Sequence, residues 1–302
     1  MPPHGQKEVV TATIEPAKGD RAWAYRKDDS QWYILKTNKG TFKGVLGFEP
    51  NVGDVLQFEG SWKQSEFSGQ LEFSFGSAVL SVPEDPRAML HLAVSWTKGI
   101  GEAREAEIWM LYGPDWRDET SLAGVAGLTE TTRWNWGDTL KRLDTQQAQA
   151  QAVAFLMSKG CTLNMSNAAW KQWETKTVSI VTANPYKLTD LPRYGFSVVD
   201  GGIRQNFGIS DTDLRRIDAA ILYVFGQVTD AGDTVADYEE VRRGTVDFIA
   251  DASGAFEDRV TAHCARGTLR VIPAETGMML CKETEYLDEE LTWERFEKTK
   301  VN

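Results

Sequence analysis

The chain has 302 residues, 41% hydrophobic and 25% charged, and its 33 basic and 44 acidic side chains give a formal net charge of −11. Such a composition belongs to a folded protein with length for two or three domains, and excludes a disordered or collagen-like chain. No stretch reaches the ~18–20 apolar residues of a membrane span, and the segment from Met1 to Glu8 lacks the apolar core of a secretory signal. Cys161, Cys264 and Cys281 are an odd number without close spacing, which argues against a disulfide scaffold and predicts a reducing, cytoplasmic setting. The acidity is concentrated late: residues 201–302 hold 12 basic and 20 acidic side chains. A nucleic-acid binder usually shows the opposite bias, because basic patches release counterions from phosphates.

Residues 1–82 read as a β domain. Val9–Ile14, Ala22–Arg26, Trp32–Thr37, Thr41–Leu46, Val55–Trp62 and Leu71–Val82 are aromatic and β-branched, with turn signals such as Asn38-Lys39-Gly40 and Asn51-Val52-Gly53-Asp54 between them. Turns every ~8–12 residues suit a small closed barrel. The run from Gly53 to Gly60 has the turn-then-alternation of five-stranded oligonucleotide/oligosaccharide-binding (OB) barrels, and SH3-like barrels read the same way. Pro83-Glu84-Asp85-Pro86 ends the ladder, and helical periodicity follows through residues 87–230, including a helix through Gln147–Ala154. Residues 233–302 read as helices near Val235–Ala252 and Ala255–Ala265, then a hairpin of Thr268–Ile272 and Met278–Lys282. That is the order of a winged-helix module, closed by an acidic helix from Glu283. The fold class is therefore α+β.

The segment Lys98-Gly99-Ile100-Gly101-Glu102-Ala103-Arg104 carries the most chemistry. A glycine–apolar–glycine turn before a helix is the signature of a helix-hairpin-helix. Both glycines are expected to supply backbone angles closed to other residues, and Ile100 to plug between the helices. The helix start then presents unpaired N–H groups to a phosphate, with no reading of bases. The bland alternative is a cap and turn in a helical domain. Weaker copies occur at Leu122–Thr129, where Gly127 and Thr129 are the candidate contacts, and at Leu191–Ser197, with Gly195, Phe196 and Ser197.

Asn184-Pro185-Tyr186-Lys187-Leu188, Tyr194-Gly195-Phe196, Asp200 and Ile221-Leu222-Tyr223-Val224 together resemble the region before the motor of RecD-like bacterial DNA helicases of the long-N-terminus type. The Lys98–Gly101 hairpin, the barrel run from Val52 to Trp62, and Gly267-Thr268-Leu269 with Leu280-Cys281 fall in the matching order, so the resemblance covers about residues 8–298. It implies DNA engagement beside a helicase motor, with the array gripping backbone and the wing helping to separate strands. Two departures stand out. The chain contains no Gly-x-x-x-x-Gly-Lys-Ser/Thr phosphate loop. Where the family tends to place a lysine after the turn, this chain has Glu102-Ala103 and Ser197-Val198. It reads as a split-off pre-motor portion or a stand-alone product, and the Met start favours the second.

Trp23, Tyr25 and Trp32 are candidates for stacking on bases, with Trp32 and Tyr33 on opposite sides of one strand. Arg242, Arg243, Arg259, Arg266 and Arg270 form a basic face on the third module or pair with the acids around them; Arg266 and Arg270 are the candidate DNA contacts. His4, His91 and His263 sit at no metal-ligand spacing, and no Gly-x-Ser-x-Gly elbow occurs. The expectation is a non-enzymatic, sequence-independent DNA-binding accessory protein for single-stranded or forked DNA. It uses no cofactor, and its partners include a helicase motor or replication protein. The rival reading is an adaptor or inhibitor that docks on a helicase or other replication or repair protein.

Overall fold

The computed structural model describes residues 6–19, 21–27, 32–46, 48–65, 68–229, 233–275, 277–288 and 290–291. His4 lies outside them. By internal contacts the chain divides into two units, Met1–Val178 and Ser179–Asn302.

The first unit begins with six strands: β1 (Glu8–Glu15), β2 (Trp23–Lys27), β3 (Trp32–Thr37), β4 (Gly40–Val45), β5 (Val55–Gln64) and β6 (Leu71–Leu80). They form one six-stranded sheet in the order β1-β5-β6-β4-β3-β2, and β1 also pairs with β3 through Ile14↔Thr37 and Glu15↔Lys36. All pairs are antiparallel except β4–β6. Alternation in the sequence does its usual work here: Tyr33, Leu35, Phe42, Phe58, Phe73 and Phe75 are buried on one face. Phe42 packs on Phe58 and Phe73 with centroids 4.9 and 4.8 Å apart, and Trp62 closes edge-on against Phe73 at 5.2 Å.

Four helices complete this unit: α1 (Pro86–Trp96), α2 (Glu102–Tyr112), α3 (Glu130–Ser158) and α4 (Leu163–Trp173). The Asp85-Pro86 pair starts α1, because the Asp85 carboxylate accepts from the Ala88 N–H and proline fits the first helical position. Trp116 and Trp136 meet 5.6 Å apart between the helices, and each indole N–H is satisfied by a carbonyl, of Pro86 and Glu119 respectively. Helix α4 is tied to the sheet. Glu59 accepts from the Asn164 backbone N–H at 2.8 Å, placing a carboxylate on the helix N-terminus, and Asn167 donates to Ser77 and to the Ala78 carbonyl.

Helix α5 (Thr177–Ala183) runs across the division into the second unit. There follow α6 (Phe196–Ile203), α7 (Leu214–Thr229), β7 (Val235–Asp237), α8 (Tyr238–Phe248), α9 (Phe256–Ala265), β8 (Leu269–Ala274) and β9 (Gly277–Lys282). Residues expected to open a helix at Val235 instead form β7, which pairs with β9 in a three-stranded sheet of order β7-β9-β8. Asp237 has extended backbone and caps α8 through the Glu240 N–H, so the helix starts one residue later. It ends at Phe248, short of Ala252. The hairpin of β8 and β9 and the helical stretch from Glu283 lie as expected.

Candidate nucleic-acid interface

The first hairpin joins α1 to α2. Thr97 closes α1, and its hydroxyl donates to the Ala93 carbonyl and lies 2.8 Å from the Thr139 hydroxyl on α3. Gly99 takes φ +97°, Ile100 is buried, and Gly101 is the N-cap of α2. The expectation that both glycines need left-handed angles holds for Gly99 alone. Gly101 is extended, at φ −111° and ψ −178°, with open space where a Cβ would sit. Lys98, Gly101, Glu102 and Ala103 are exposed. Gly101 supplies no side-chain cap, so no side chain of its own occupies the first amides of α2.

The second hairpin enters α3 in the same way. Gly127 takes φ +67° two residues before the N-cap Thr129, whose hydroxyl accepts from the Thr132 N–H at 3.2 Å. Gly127 therefore matches Gly99, and Thr129 matches Gly101. The two turns pack reciprocally. A Cβ on Gly99 would lie 2.7 Å from the Thr132 Oγ1, and one on Gly127 would lie 2.8 Å from an Arg104 guanidinium nitrogen. Arg104 and Thr132 are each the third residue after an N-cap, so each hairpin rests on the first turn of the other's helix. Arg133 fastens the preceding loop by donating to the carbonyls of Ser121, Leu122 and Val125. Lys98 and Arg104 form no ion pair among the described residues. Both helices, however, begin with an exposed carboxylate, Glu102 and Glu130.

In the second unit, the third hairpin puts a non-glycine in the left-handed position. Arg193 has φ +75°, and Gly195 is the extended N-cap of α6. Ser197 is exposed, whereas Phe196 is 1% exposed and stacks on Tyr186 with centroids 5.8 Å apart. Phe196 is therefore a core residue with no face for DNA. The Asn-Pro-Tyr motif is structural too. Asn184 accepts from the Tyr186 N–H, and the Tyr186 hydroxyl donates to Asp200 at 2.5 Å. Asp200 in turn receives two bonds from Arg216, at 2.9 and 2.8 Å. Burial works against ionised Asp200, but the bonds from Arg216 and Tyr186 win and hold its pKa below the usual carboxylate range.

The expected basic face on the last module is neutralised from within. Arg259 donates twice to Asp218, at 2.7 and 2.6 Å, and Arg266 reaches the same carboxylate at 3.2 Å. Asp218 is pushed up by burial and pulled down further by His263, Arg259 and Arg266, ending well below its ordinary value. Arg270 forks onto Glu283 at 2.8 and 2.7 Å and lies over the Tyr286 ring, while Arg242 pairs with Glu239. In an acid-rich neighbourhood four of these five guanidinium groups meet a carboxylate. Of the five arginines, only Arg243 lacks an ion pair among the described residues; it donates to the Glu239 carbonyl.

The aromatic candidates of the sheet divide by face. Tyr33 points inward, Trp23 is half-buried and edge-on to it at 5.8 Å, and Tyr25 is 52% exposed. Tyr25 meets half-buried Trp32 edge-on at 6.1 Å on the outer side. Among the described residues no group of three or more His, Cys, Asp or Glu side chains could hold a metal ion, and no helix is long and apolar enough to cross a membrane. Cys161 is buried, and burial pushes its thiol up to about 12, the behaviour of a packing residue.

A search of curated proteins gives no match to this chain. Residues 145–235 match the family model described as "ATP-dependent RecD2 DNA helicase HHH domain". The chain thus carries a region similar to the part of RecD-like DNA helicases that precedes the motor.

Proposed function

We propose that this chain is a non-enzymatic, sequence-independent DNA-binding protein that holds DNA by its backbone next to a separate motor or replication protein. The observation that carries the reading is the reciprocal packing of the first two hairpins, which brings the starts of α2 and α3 together, with exposed residues at each start. Two adjacent helix N-termini suit phosphate oxygens and read no bases. The match of residues 145–235 to a helicase domain of the same motif supports DNA as the polymer.

Two finer assignments belong to this reading. The pairings β1–β5, β5–β6, β6–β4, β4–β3 and β3–β1 form a ring with one parallel pair, which supports an OB-like closed barrel. The order α7-β7-α8-α9-β8-β9, with β7 and β8 flanking β9, supports a winged-helix module.

A rival has its own observation. The exposed carboxylates Glu102 and Glu130 stand where phosphates would dock, and the arginines of the second unit are mostly paired. That favours a protein partner with a basic surface. Titration of labelled fork, duplex and single strand at low and physiological salt separates the two. Micromolar or tighter binding that weakens steeply with salt supports backbone contact, with an expected log–log slope of about −0.9 per phosphate neutralised on duplex. No binding at low salt supports the adaptor.

A further inference from the structure

Two clefts on the first unit lie outside the hairpins. One, of about 470 Å³, lies on the outer side of the sheet and is lined by Trp32, Lys43, Lys63 and Glu72. The other, of about 520 Å³, lies between the sheet and helices α3 and α4 and is lined by Gln146, Gln149, Trp170 and Lys171. They are neighbours, with Val45 and Gly76 lining both. Each falls in the ~300–1,000 Å³ range of ligand sites.

The second cleft is lined by one buried polar atom with no partner among the described residues. Gln146 is 9% exposed, and its side-chain oxygen is buried without a hydrogen bond among the described residues. Buried amide oxygens are nearly always satisfied, and leaving one unmade is costly. Trp170, also 9% exposed, lines the same cleft. The neighbours do not turn to meet the Gln146 oxygen: Gln149 donates to Asn167, and Asn167 to Ser77 and the Ala78 carbonyl. One acceptor is thereby left for something that enters the cleft.

The charge is of the opposite sign to that of the whole chain. Lys43, Lys63 and Lys171 face Glu72 and Glu174, a net of +1 in a chain of −11. Lys43 pairs with Glu72 at 2.5 Å, while Lys63 and Lys171 make no ion pair among the described residues. Trp32, braced edge-on by Tyr25, supplies an aromatic wall at the outer end.

We infer that the two adjacent clefts form a track for one strand of unpaired DNA, with a base entering the second cleft to bond Gln146 and pack on Trp170. The inference rests on the DNA-binding reading above but uses none of the hairpin residues. Aromatic walls and amide groups suit unstacked bases, and the few lysines suit a backbone held loosely.

The test is fluorescence anisotropy of the full chain with a labelled single strand of about 12 nucleotides, inside the ~4–16 range of one small barrel, beside a duplex of equal length. Single-strand affinity should fall about tenfold for Trp32→Ala. The pair Lys63→Glu with Lys171→Glu should cost a similar factor, with duplex binding retained. The salt slope on single strand should be no steeper than about −2, from three lysines at ~0.7 each. Gln146→Leu removes a buried unpaired acceptor, so it should keep or raise the melting temperature while weakening single-strand binding severalfold. Unchanged single-strand affinity in both Gln146→Leu and the lysine pair overturns the track. A wild-type chain that binds duplex and ignores single strand overturns the track and leaves the hairpin reading standing. Binding of neither removes both.

Discussion

The two units of this chain solve the same problem with different materials. Residues 1–178 hold two glycine-turned hairpins on a core of phenylalanine and tryptophan, with Phe42, Phe58, Phe73, Trp116 and Trp136 all buried. Residues 179–302 hold a third hairpin whose left-handed residue is Arg193, and they rely on carboxylate–arginine clusters at Asp200, Asp213, Asp218 and Glu283. Seven of the nine described arginines in the second unit are ion-paired. In the first unit Lys63, Lys98, Arg104 and Lys171 have no ion pair among the described residues. The lesson is that a basic residue in an acidic chain is available to a phosphate only where no local carboxylate has claimed it.

Removing one carboxylate from the second unit should have the largest effect. Asp200→Ala leaves Arg216, with its side chain 7% exposed, without its main partner and the Tyr186 hydroxyl without an acceptor. An uncompensated buried charge costs about 3–5 kcal/mol, so the second unit should melt first. Ten of the eleven tryptophans lie in residues 1–178. Their fluorescence should therefore lag behind the loss of helical circular dichroism. Coincident transitions would mean that the two units unfold as one. The converse change, Phe58→Ala, opens a cavity in the aromatic core and should cost a comparable ~3–5 kcal/mol, now seen first by tryptophan emission.

Acid should separate the units more gently. Asp200, Asp213 and Asp218 have folded pKa values below their unfolded ones, so the stability they contribute is present above about pH 4 and is lost as pH falls through the folded values. Asp54 in the first unit has the opposite sign. Burial raises its pKa despite bonds from Asn51 and Trp96, so protonation relieves that site on acidification. Glu119, lowered by its bonds from Ser121, is an exception in the first unit, and it is better solvated. A titration from pH 7 downward should therefore show ellipticity lost before tryptophan emission shifts. The reverse order would contradict the account of what holds each unit.

The smallest of these effects on stability should come with a clear effect on DNA. Glu102→Lys with Glu130→Lys changes exposed first-turn residues, so the melting temperature should drop only slightly, through a helix-dipole cost of about 0.3–1 kcal/mol each. Duplex affinity should rise by about tenfold at low salt, because two repulsive charges at the phosphate site become attractive. An unchanged affinity would place the contact elsewhere.

The strands were legible because each carries period-two alternation bounded by turn residues. Trp32–Thr37 is read to the residue, and the other five to within two. The first hairpin announces itself through Gly99-Ile100-Gly101. The equivalence of Gly127 to Gly99 emerges only when both are seen two residues before an N-cap. The turn at Arg193 lacks the glycine that would have marked it, and β7 is too short to show alternation. The arginine pairings and the cleft at Gln146 and Trp170 join residues distant in sequence, which composition cannot reveal. Abundant acids near the arginines were the one available hint.

Hydrogen–deuterium exchange of the full chain with and without a forked DNA reads the hairpin contact amide by amide. Exchange should slow at the amides of residues 97–104 and 125–133, where the two hairpins enter α2 and α3. Protection confined to residues 179–302, or none at saturating fork, would contradict it.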